Sequence, residues 1–311
     1  MSTFSYTLGD AIPSACAGGV VTIGNFDGVH LGHQALLGEA ARQARAAHVA
    51  AVAVTFDPPP SRLLRPDQAG PLLLTIEDRA ALLHQHGAHH VLIVNTSLAL
   101  LELRAREFFE RILVSELRVK ALVEGFNFGF GKNREGTTEV LHQYCSEKAI
   151  GLTLMPPQEL LGAPVSSSRV RAELLAGRVD VAATLLGRLY RIHGIVGTGQ
   201  RRGATLGFPT ANLHDLTTLL PGNGVYAVRA LVDGVTWPAA ANLGPNPTFG
   251  EHARKVEVHL LGFRGDLYGK PLVIEFVQKL RDTRPFANVE ELKRQIEADI
   301  ASAKAILAAG V

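Results

Sequence analysis

The segment Val21 to Leu37, "VTIGNFDGVHLGHQALL", joins a short apolar run to an alanine-rich stretch that is typical of a helix. The apolar run ends at Gly24, and two histidines, His30 and His33, follow at the junction. A loop at the start of a helix presents free backbone N–H groups and the positive end of the helix dipole. Glycines such as Gly28 allow the backbone to approach a ligand closely. The junction therefore predicts a phosphate cradle, with a zinc site and a plain turn as alternatives.

Apolar, β-rich runs alternate with helical stretches through the first half of the chain. The strand-like runs are "GGVVTIG", "VAAVAVTF", "HHVLIVN", "VKALVEG" and "GLTLMPP". Between them, "TIEDRAALLHQHG" begins with Thr75 as a predicted N-cap, and "GTTEVLHQYCSEKAI" begins at Gly136. Such alternation predicts a Rossmann-like parallel sheet with helices on both faces. Ligands bind such sheets outside the carboxyl ends of the strands, and this edge is where the strand ending at Gly24 delivers its loop.

The second half of the chain has a different pattern. "SSSRVRAELLAGRVDVAATLLG" predicts two short helices separated by Gly177, and after Gly187 strand-like runs are punctuated by glycine and proline. These runs predict an antiparallel barrel or sandwich. The last segment predicts a helix capped by Asn288. We therefore expect two domains, 1–187 and 188–311.

The composition excludes several classes of protein. The chain has 311 residues and a formal net charge of +2, so the basic excess of a general nucleic-acid binder is missing. Its two cysteines, Cys16 and Cys145, form no Cys-x-x-Cys pair, which disfavours a zinc ribbon or a disulfide framework. The N-terminus does not resemble a signal peptide, and no apolar run is long enough for a membrane span. We expect a cytoplasmic protein without nucleic-acid or membrane partners.

Two further segments of the first half carry candidate site residues. "VSSSRVR", Val165 to Arg171, predicts a second anion-binding helix start, although such serines alone are commonly N-caps. "GFNFGFG", Gly125 to Gly131, alternates phenylalanine with small or polar residues, which suits either a core strand or a loop that stacks on a flat heterocycle. Neither segment contains the Gly-x-x-x-x-Gly-Lys-Ser/Thr pattern of a Walker A loop.

The second half carries its own polar set. In "GTGQRRGATLGFPTANL", Gly197 to Leu213, the side chains of Thr210 and Asn212 share one side of an extended chain. Their hydroxyl and amide oxygens suit Mg²⁺ held with phosphate, whereas the glycines alone fit an irregular hairpin loop. In "KVEVHLLGF", Glu257 lies on the same strand face as His259. Glu257 is either a surface carboxylate or a general base for a hydroxyl group.

Taken together in this order, the motifs resemble those of the prokaryotic bifunctional riboflavin kinase/FAD synthetase family. "GNFDGVHLGH", "GFNFGFG" and "SSSRVR" correspond to its nucleotidyltransferase half. "GATLGFPTANL", "GVYAV", "NLGPNPTF", "EVHLL" and "GDLYGK" correspond to its kinase half. The resemblance covers nearly the whole chain. It implies a β-barrel kinase domain, with riboflavin phosphorylated by ATP to FMN and FMN then adenylylated by a second ATP to FAD.

The resemblance also implies roles for individual residues. In the kinase, Thr210 and Asn212 hold Mg²⁺ and phosphate, Glu257 is the general base, and Gly203 and Gly207 lie beside ATP. In the adenylyltransferase, His30 and His33 stabilise charge at the α-phosphate. The other implied ATP-binding residues there are Gly24, Asn25, Asp27, Gly28, Ser167 and Arg171. The residues implied to lie near the flavin are Phe126, Asn127 and Phe128.

Four positions depart from the family's usual pattern: Pro59 replaces a histidine, Phe126 an acidic residue, Asn246 an arginine and Gly262 an aspartate. None of them belongs to the predicted catalytic sets. Rival hypotheses are an enzyme with one active module, a non-catalytic flavin-binding protein and a nucleotidyltransferase with another substrate. We expect a monomer or a weak homo-oligomer that acts on small molecules.

Overall fold

The computed structural model describes residues 1–198, 203, 206–246 and 251–309. The chain divides into two compact units. The first unit comprises Met1–Gly70 and Leu74–Ser166, and the second comprises Pro71–Leu73 and Ser167–Val311. The division between Ser166 and Ser167 assigns the two short helices predicted after Ser166 to the second unit. A folding boundary at 187/188 stays a prediction.

A six-stranded parallel sheet forms the centre of the first unit. Its strands are β1 Ser2–Tyr6, β2 Val20–Ile23, β3 Ala51–Asp57, β4 His90–Asn95, β5 Ala121–Gly125 and β6 Gly151–Met155. They lie in the order β1-β4-β3-β2-β5-β6. The chain moves from β2 to β4 in one direction across the sheet and returns to β5 on the other side of β2. This reversal between β2 and β5 is the topological switch point, where open α/β sheets bind ligands.

Helices connect the strands of this sheet. They are α1 Leu31–Ala46, α2 Pro60–Leu64, α3 Ile76–Gln85, α4 Leu98–Leu101, α5 Ala105–Glu107 with a π-helical continuation over Phe108–Glu116, and α6 Thr138–Glu147. Alternate residues of β3 belong to different apolar cores: Val52 and Val54 pack in a cluster with Phe109, and Ala53 packs in another with Leu83. The sheet is therefore covered on both faces, as predicted.

The observed helix N-caps agree with the helix starts predicted from the sequence. The Thr75 hydroxyl accepts a hydrogen bond from the Asp78 N–H at 3.1 Å, so Thr75 is the N-cap of α3. Thr137 caps α6 in the same way, at 3.4 Å to the Val140 N–H. The sequence reading missed β1, and it also missed a two-stranded hairpin of β7 Glu159–Leu160 and β8 Ala163–Pro164. These segments are too short for a periodic signal to stand out.

A closed antiparallel barrel forms the centre of the second unit. Its strands are β9 Tyr190–Gly197, β10 Ala211–His214, β11 Gly224–Val232, β12 Val235–Asn246, β13 Glu251–Leu260 and β14 Pro271–Arg281, in the order β10-β13-β12-β11-β14-β9. The barrel prediction is confirmed. Alternation of buried with more exposed residues along β9 is the pattern expected when one strand face is packed.

The described part of the second unit also contains the helices α7 Ser167–Leu175, α8 Val179–Leu186 and α9 Val289–Ala308. Helix α8 contacts β9 and β14, and its Val179, Leu185 and Leu186 are fully buried. Asn288 caps α9, as predicted, since its Oδ1 accepts from the Glu291 N–H at 2.8 Å.

Candidate active sites

The loop between β2 and α1 has a constrained backbone. Phe26, Gly28 and Val29 have positive φ angles of 47°, 86° and 40°. Glycine adopts such angles freely, but a phenylalanine and a β-branched valine do not. Both side chains are nearly or fully buried in the apolar cluster that contains Leu37 and Leu83. Packing therefore holds the loop in a conformation that is unfavourable by itself, a common feature of functional sites.

The two predicted histidines lie against each other at the start of α1. His30 is the N-cap residue, and its Nδ1 accepts a hydrogen bond from the His33 N–H at 3.4 Å. The two rings stack with centroids 3.7 Å apart and an interplanar angle of 17°, and the His33 ring also meets the edge of Phe26 at 5.2 Å. Burial lowers the pKa of His33 well below its usual value, and the charges of His30 and Arg79 act in the same direction. A neutral His33 at pH 7 follows.

The remaining predicted residues of this loop precede the histidines in the chain. Gly24 directly follows β2 and donates its N–H to the Val54 carbonyl at 3.0 Å. Asn25 is exposed at the edge of the sheet, whereas Asp27 is only 7% exposed. Strand β2 pairs with β5, with Val20 opposite Ala121. The loops that follow these two strands therefore leave the same edge of the sheet, at the switch point.

The "GFNFGFG" segment is a turn and loop after β5, not a core strand. The Phe128 N–H donates to the Gly125 carbonyl at 3.0 Å, which closes the turn. Phe126 is 53% exposed, and Asn127 is exposed beside it. Phe128 stacks on the buried Phe130 with ring centroids 5.7 Å apart. Aromatic surface is therefore available at the edge where the phosphate loop also lies.

The sequence reading missed two buried ionisable residues at this edge. Arg79 on α3 is 0% exposed, and Glu124 on β5 is 1% exposed. Glu124 accepts the Ile23 N–H at 2.9 Å, and burial raises its pKa well above the usual value. A signal for Arg79 exists in the sequence, because its position four residues before the buried Leu83 lies on the apolar stripe of the helix.

The predicted phosphate-binding residues Ser167 and Arg171 belong to the second unit. Ser167 is the first residue of α7, and an Arg171 N–H donates to the Pro71 carbonyl, also in that unit. Their meeting with the histidines of the first unit stays a prediction.

In the barrel, three polar residues lie side by side on neighbouring strands. Asn212 of β10 is directly opposite Glu257 of β13, and Glu257 is directly opposite Asn242 of β12. Residues paired in this way point their side chains to the same face of the sheet. Val256 and Val258 point to the other face and are buried. The sequence reading placed Asn212 with Glu257 but gave no role to Asn242.

Thr210 directly precedes β10, two residues before Asn212. A Cβ atom added at Gly203 would collide with the Phe208 carbonyl and lie 3.3 Å from Thr210 Oγ1. Glycine is therefore required at 203 for this close approach. His259 Nδ1–H donates to the Pro209 carbonyl at 2.7 Å, which anchors the residue before Thr210. Gly207 has a positive φ of 93° with open space beside it.

Possible metal sites were predicted in both units, zinc at the two histidines and Mg²⁺ in the barrel. Within the described ranges, no three His, Cys, Asp or Glu side chains are grouped so that they could hold a metal ion. The rings of the two histidines stack on each other. A hydroxyl and an amide beside a carboxylate fit Mg²⁺ that is bound mainly by phosphate. Gly199 and the Asn246 side chain lie outside the described residues.

Comparisons with known proteins find relatives for both halves of the chain. A family model described as FAD synthetase matches residues 12–169, and one described as riboflavin kinase matches residues 186–307. A bifunctional riboflavin kinase/FMN adenylyltransferase from Pseudomonas fluorescens is 41% identical over 94% of this chain and 94% of its own length. This chain belongs to the bifunctional riboflavin kinase/FMN adenylyltransferase family. A family member from Bacillus subtilis is 36% identical over 90% of each chain.

A solved structure has the same architecture as this family member. It comes from Streptococcus pneumoniae, is described as a macrolide-efflux protein, and superposes with a TM-score of 0.87 at 31% identity. The match covers 96% of this chain and 98% of that one. In the part of the present chain that the structure describes, no helix is both long and apolar enough to cross a membrane. The family models and the curated relatives confirm the family resemblance that the motifs indicated.

Proposed function

We propose that this transferase makes FAD from riboflavin in two ATP-dependent steps, one in each compact unit. The observation that carries the proposal is the presence of two separate polar clusters. His30 and His33 lie at the helix start beside the switch point of the first unit, and Asn212 and Glu257 lie on paired strands of the barrel. Each cluster has the residue types that one of the two reactions requires.

In the barrel, the first reaction is phosphoryl transfer. Glu257 accepts the proton of the terminal ribityl hydroxyl, and the hydroxyl oxygen bonds to the γ-phosphorus of ATP. The bond between the γ-phosphorus and the bridging oxygen of the β-phosphate breaks, giving FMN and ADP. Gly203 and Gly207 keep the loop near ATP. Thr210 and Asn212 would hold Mg²⁺, which neutralises phosphate charge when bound. Positioning and charge neutralisation provide most of the rate in such reactions.

In the first unit, the second reaction is adenylyl transfer. An FMN phosphate oxygen attacks the α-phosphorus of ATP, and the bond to the β-phosphate oxygen breaks to release pyrophosphate. The chain supplies no nucleophile. His30, His33 and the N–H groups of the loop stabilise charge on the α-phosphate. Gly24, Asn25, Asp27 and Gly28 shape this pocket, and Ser167 and Arg171 bind phosphates from α7.

The flavin of this second reaction stacks on the loop after β5. Phe126, Asn127 and Phe128 are the residues assigned to it, supported by the exposure of Phe126 and Asn127 at the same sheet edge. A phenylalanine in place of the family's acidic residue gives this loop more apolar surface for the isoalloxazine ring.

We also infer that the enzyme works in the cytoplasm as a monomer or a weak homo-oligomer. Both cysteines are buried and free, as expected in a reducing compartment. Light scattering over a range of protein concentrations tests the oligomeric state.

Product analysis tests the whole proposal. We expect riboflavin with ATP and Mg²⁺ to yield FMN and then FAD, and neither product to form without Mg²⁺. Supplying FMN directly isolates the second step. FAD formed from FMN, without FMN formed from riboflavin, would leave only the adenylyltransferase active. Flavin binding without any ATP consumption would identify a non-catalytic protein.

A further inference from the structure

We propose that Arg79 is a positioning residue of the adenylyltransferase, which holds the loop between β2 and α1 and supplies a buried positive charge next to it. The inference rests on the function proposed above for the first unit. Arg79 is on α3, outside every sequence motif that suggested that function.

A chain of hydrogen bonds links Arg79 to the loop. Its Nη1 donates to Thr55 Oγ1 at 3.2 Å and to the Phe56 carbonyl at 2.9 Å. Thr55 in turn donates its hydroxyl to the Asn25 carbonyl at 3.2 Å. Both Arg79 and Thr55 are 0% exposed. Arg79 therefore ties together the carboxyl ends of β2 and β3, which form the ligand edge of the sheet.

Stability alone does not explain this arginine. Its Nε and Nη2 atoms are buried and have no hydrogen-bond partner among the described residues. An unsatisfied buried donor costs about 1–3 kcal/mol, and more when the group is charged. Burial lowers the pKa of Arg79, and the carboxylates of Asp27 and Asp57 oppose that shift. A methionine of similar length would fill the same space without this cost.

The charge acts on a defined group. His33, at the start of α1, is affected by the positive charges of His30 and Arg79. Asp27 of the loop, Asp57 at the end of β3 and Arg62 of α2 also act on Arg79. A fixed positive charge here disfavours protonation of His33. It also favours negative charge on phosphate oxygens bound at the adjacent loop, where charge develops during adenylyl transfer.

Two substitutions separate charge from shape. Arg79→Met removes the charge and the hydrogen bonds, and we expect the kcat of FMN adenylylation to fall by about 10²–10³-fold. Riboflavin phosphorylation should be unchanged. Without the charge, His33 protonates more readily, so the acid limb of the kcat–pH profile should move to higher pH. Arg79→Lys keeps the charge and should leave that limb in place. Arg42→Met, which removes an arginine with a 64% exposed side chain on α1, is the control.

The outcomes are distinguishable. If the wild type makes no FAD from FMN and ATP, the proposed function fails. If the wild type is active and folded Arg79→Met has a kcat within twofold and an unmoved acid limb, the inference about Arg79 is overturned. If near-UV circular dichroism shows that Arg79→Met is unfolded, Thr55→Val decides, because it breaks the link to Asn25 and keeps the charge. A roughly tenfold loss of kcat in folded Thr55→Val supports the inference, and wild-type kinetics overturn it.

Discussion

Asn212 and Glu257 face each other directly across the antiparallel pair of β10 and β13. Forty-four intervening positions separate them in the sequence, yet the register places an amide beside a carboxylate on one face of the barrel. Each group suits a different part of phosphoryl transfer. The amide oxygen suits a metal–phosphate complex, and the carboxylate can take the proton of the attacking hydroxyl.

Glu257→Gln should abolish this proton transfer while preserving the shape of the strand pair. We expect the kcat of riboflavin phosphorylation to fall by about 10²–10⁴-fold, because general-base catalysis contributes that much. FMN adenylylation should be unchanged. The matched control is Glu275→Gln, since Glu275 is a barrel carboxylate on β14 that pairs with Arg191 at 3.2 Å. Comparable losses in both variants would contradict the role of Glu257. Steady-state kinetics with each flavin provide the measurement.

His30→Asn should separate catalysis from helix capping. Asparagine is a good N-cap residue, so α1 keeps its cap, but the imidazole is lost. We expect FAD formation from FMN to fall by about 10²–10³-fold, with riboflavin phosphorylation unaffected. His142→Ala, at an exposed histidine of α6, is the control. An equal loss of both activities in His30→Asn would argue against separate sites. Chromatographic separation of FMN and FAD measures both.

Phe126→Ala should weaken flavin binding in the first unit. The side chain is 53% exposed, so its removal should leave the melting temperature almost unchanged. We expect the KM for FMN in adenylylation to rise about tenfold, as loss of one stacked ring costs about 1–3 kcal/mol. Leu98→Ala, which truncates a 65% exposed apolar residue of α4, is the control. An unchanged KM for FMN would exclude stacking on Phe126.

Glu124→Gln should stabilise the first unit at neutral pH. Burial raises the pKa of Glu124 well above the ordinary value of 4.5, so the folded state binds a proton that the unfolded state releases. The free energy of unfolding therefore decreases as the pH rises above about 4.5 towards the folded pKa. Glutamine stays neutral and can still accept the Ile23 N–H.

Denaturant unfolding of the wild type and of Glu124→Gln at several pH values measures this effect. The stability gain of the variant should be small near pH 4 and should grow as the pH rises above about 4.5. Glu124→Leu is the matched comparison, because it removes the charge but leaves the Ile23 N–H without its acceptor. A gain that does not depend on pH would contradict the ionisation argument.

Two fragments test how the kinase folds. A fragment of residues 167–311 keeps α7 and α8, whereas a fragment of residues 188–311 loses the fully buried Leu185 and Leu186. Each buried leucine contributes about 1.5–3 kcal/mol. We expect the longer fragment to phosphorylate riboflavin and the shorter one to unfold at a lower denaturant concentration. Equal stability of the two fragments would place the folding boundary at 187/188.

The sequence by itself determined the two architectures and most of the candidate residues. Apolar runs of period two alternating with helical stretches specify a covered parallel sheet, and Thr75 and Asn288 mark helix starts through local hydrogen bonds. The histidines lie within four positions of each other, so their proximity is also a local property. Such features depend on neighbours along the chain, which the sequence displays directly.

Only the tertiary structure decided which distant residues meet. The strand register placed Asn242 beside Glu257, and the strand order brought the loops after β2 and β5 to one edge. Burial of Glu124 was likewise hidden, because a charged residue in a strand is usually solvated. Whether a side chain meets water depends on elements packed against it from elsewhere in the chain, and local sequence carries little of that information.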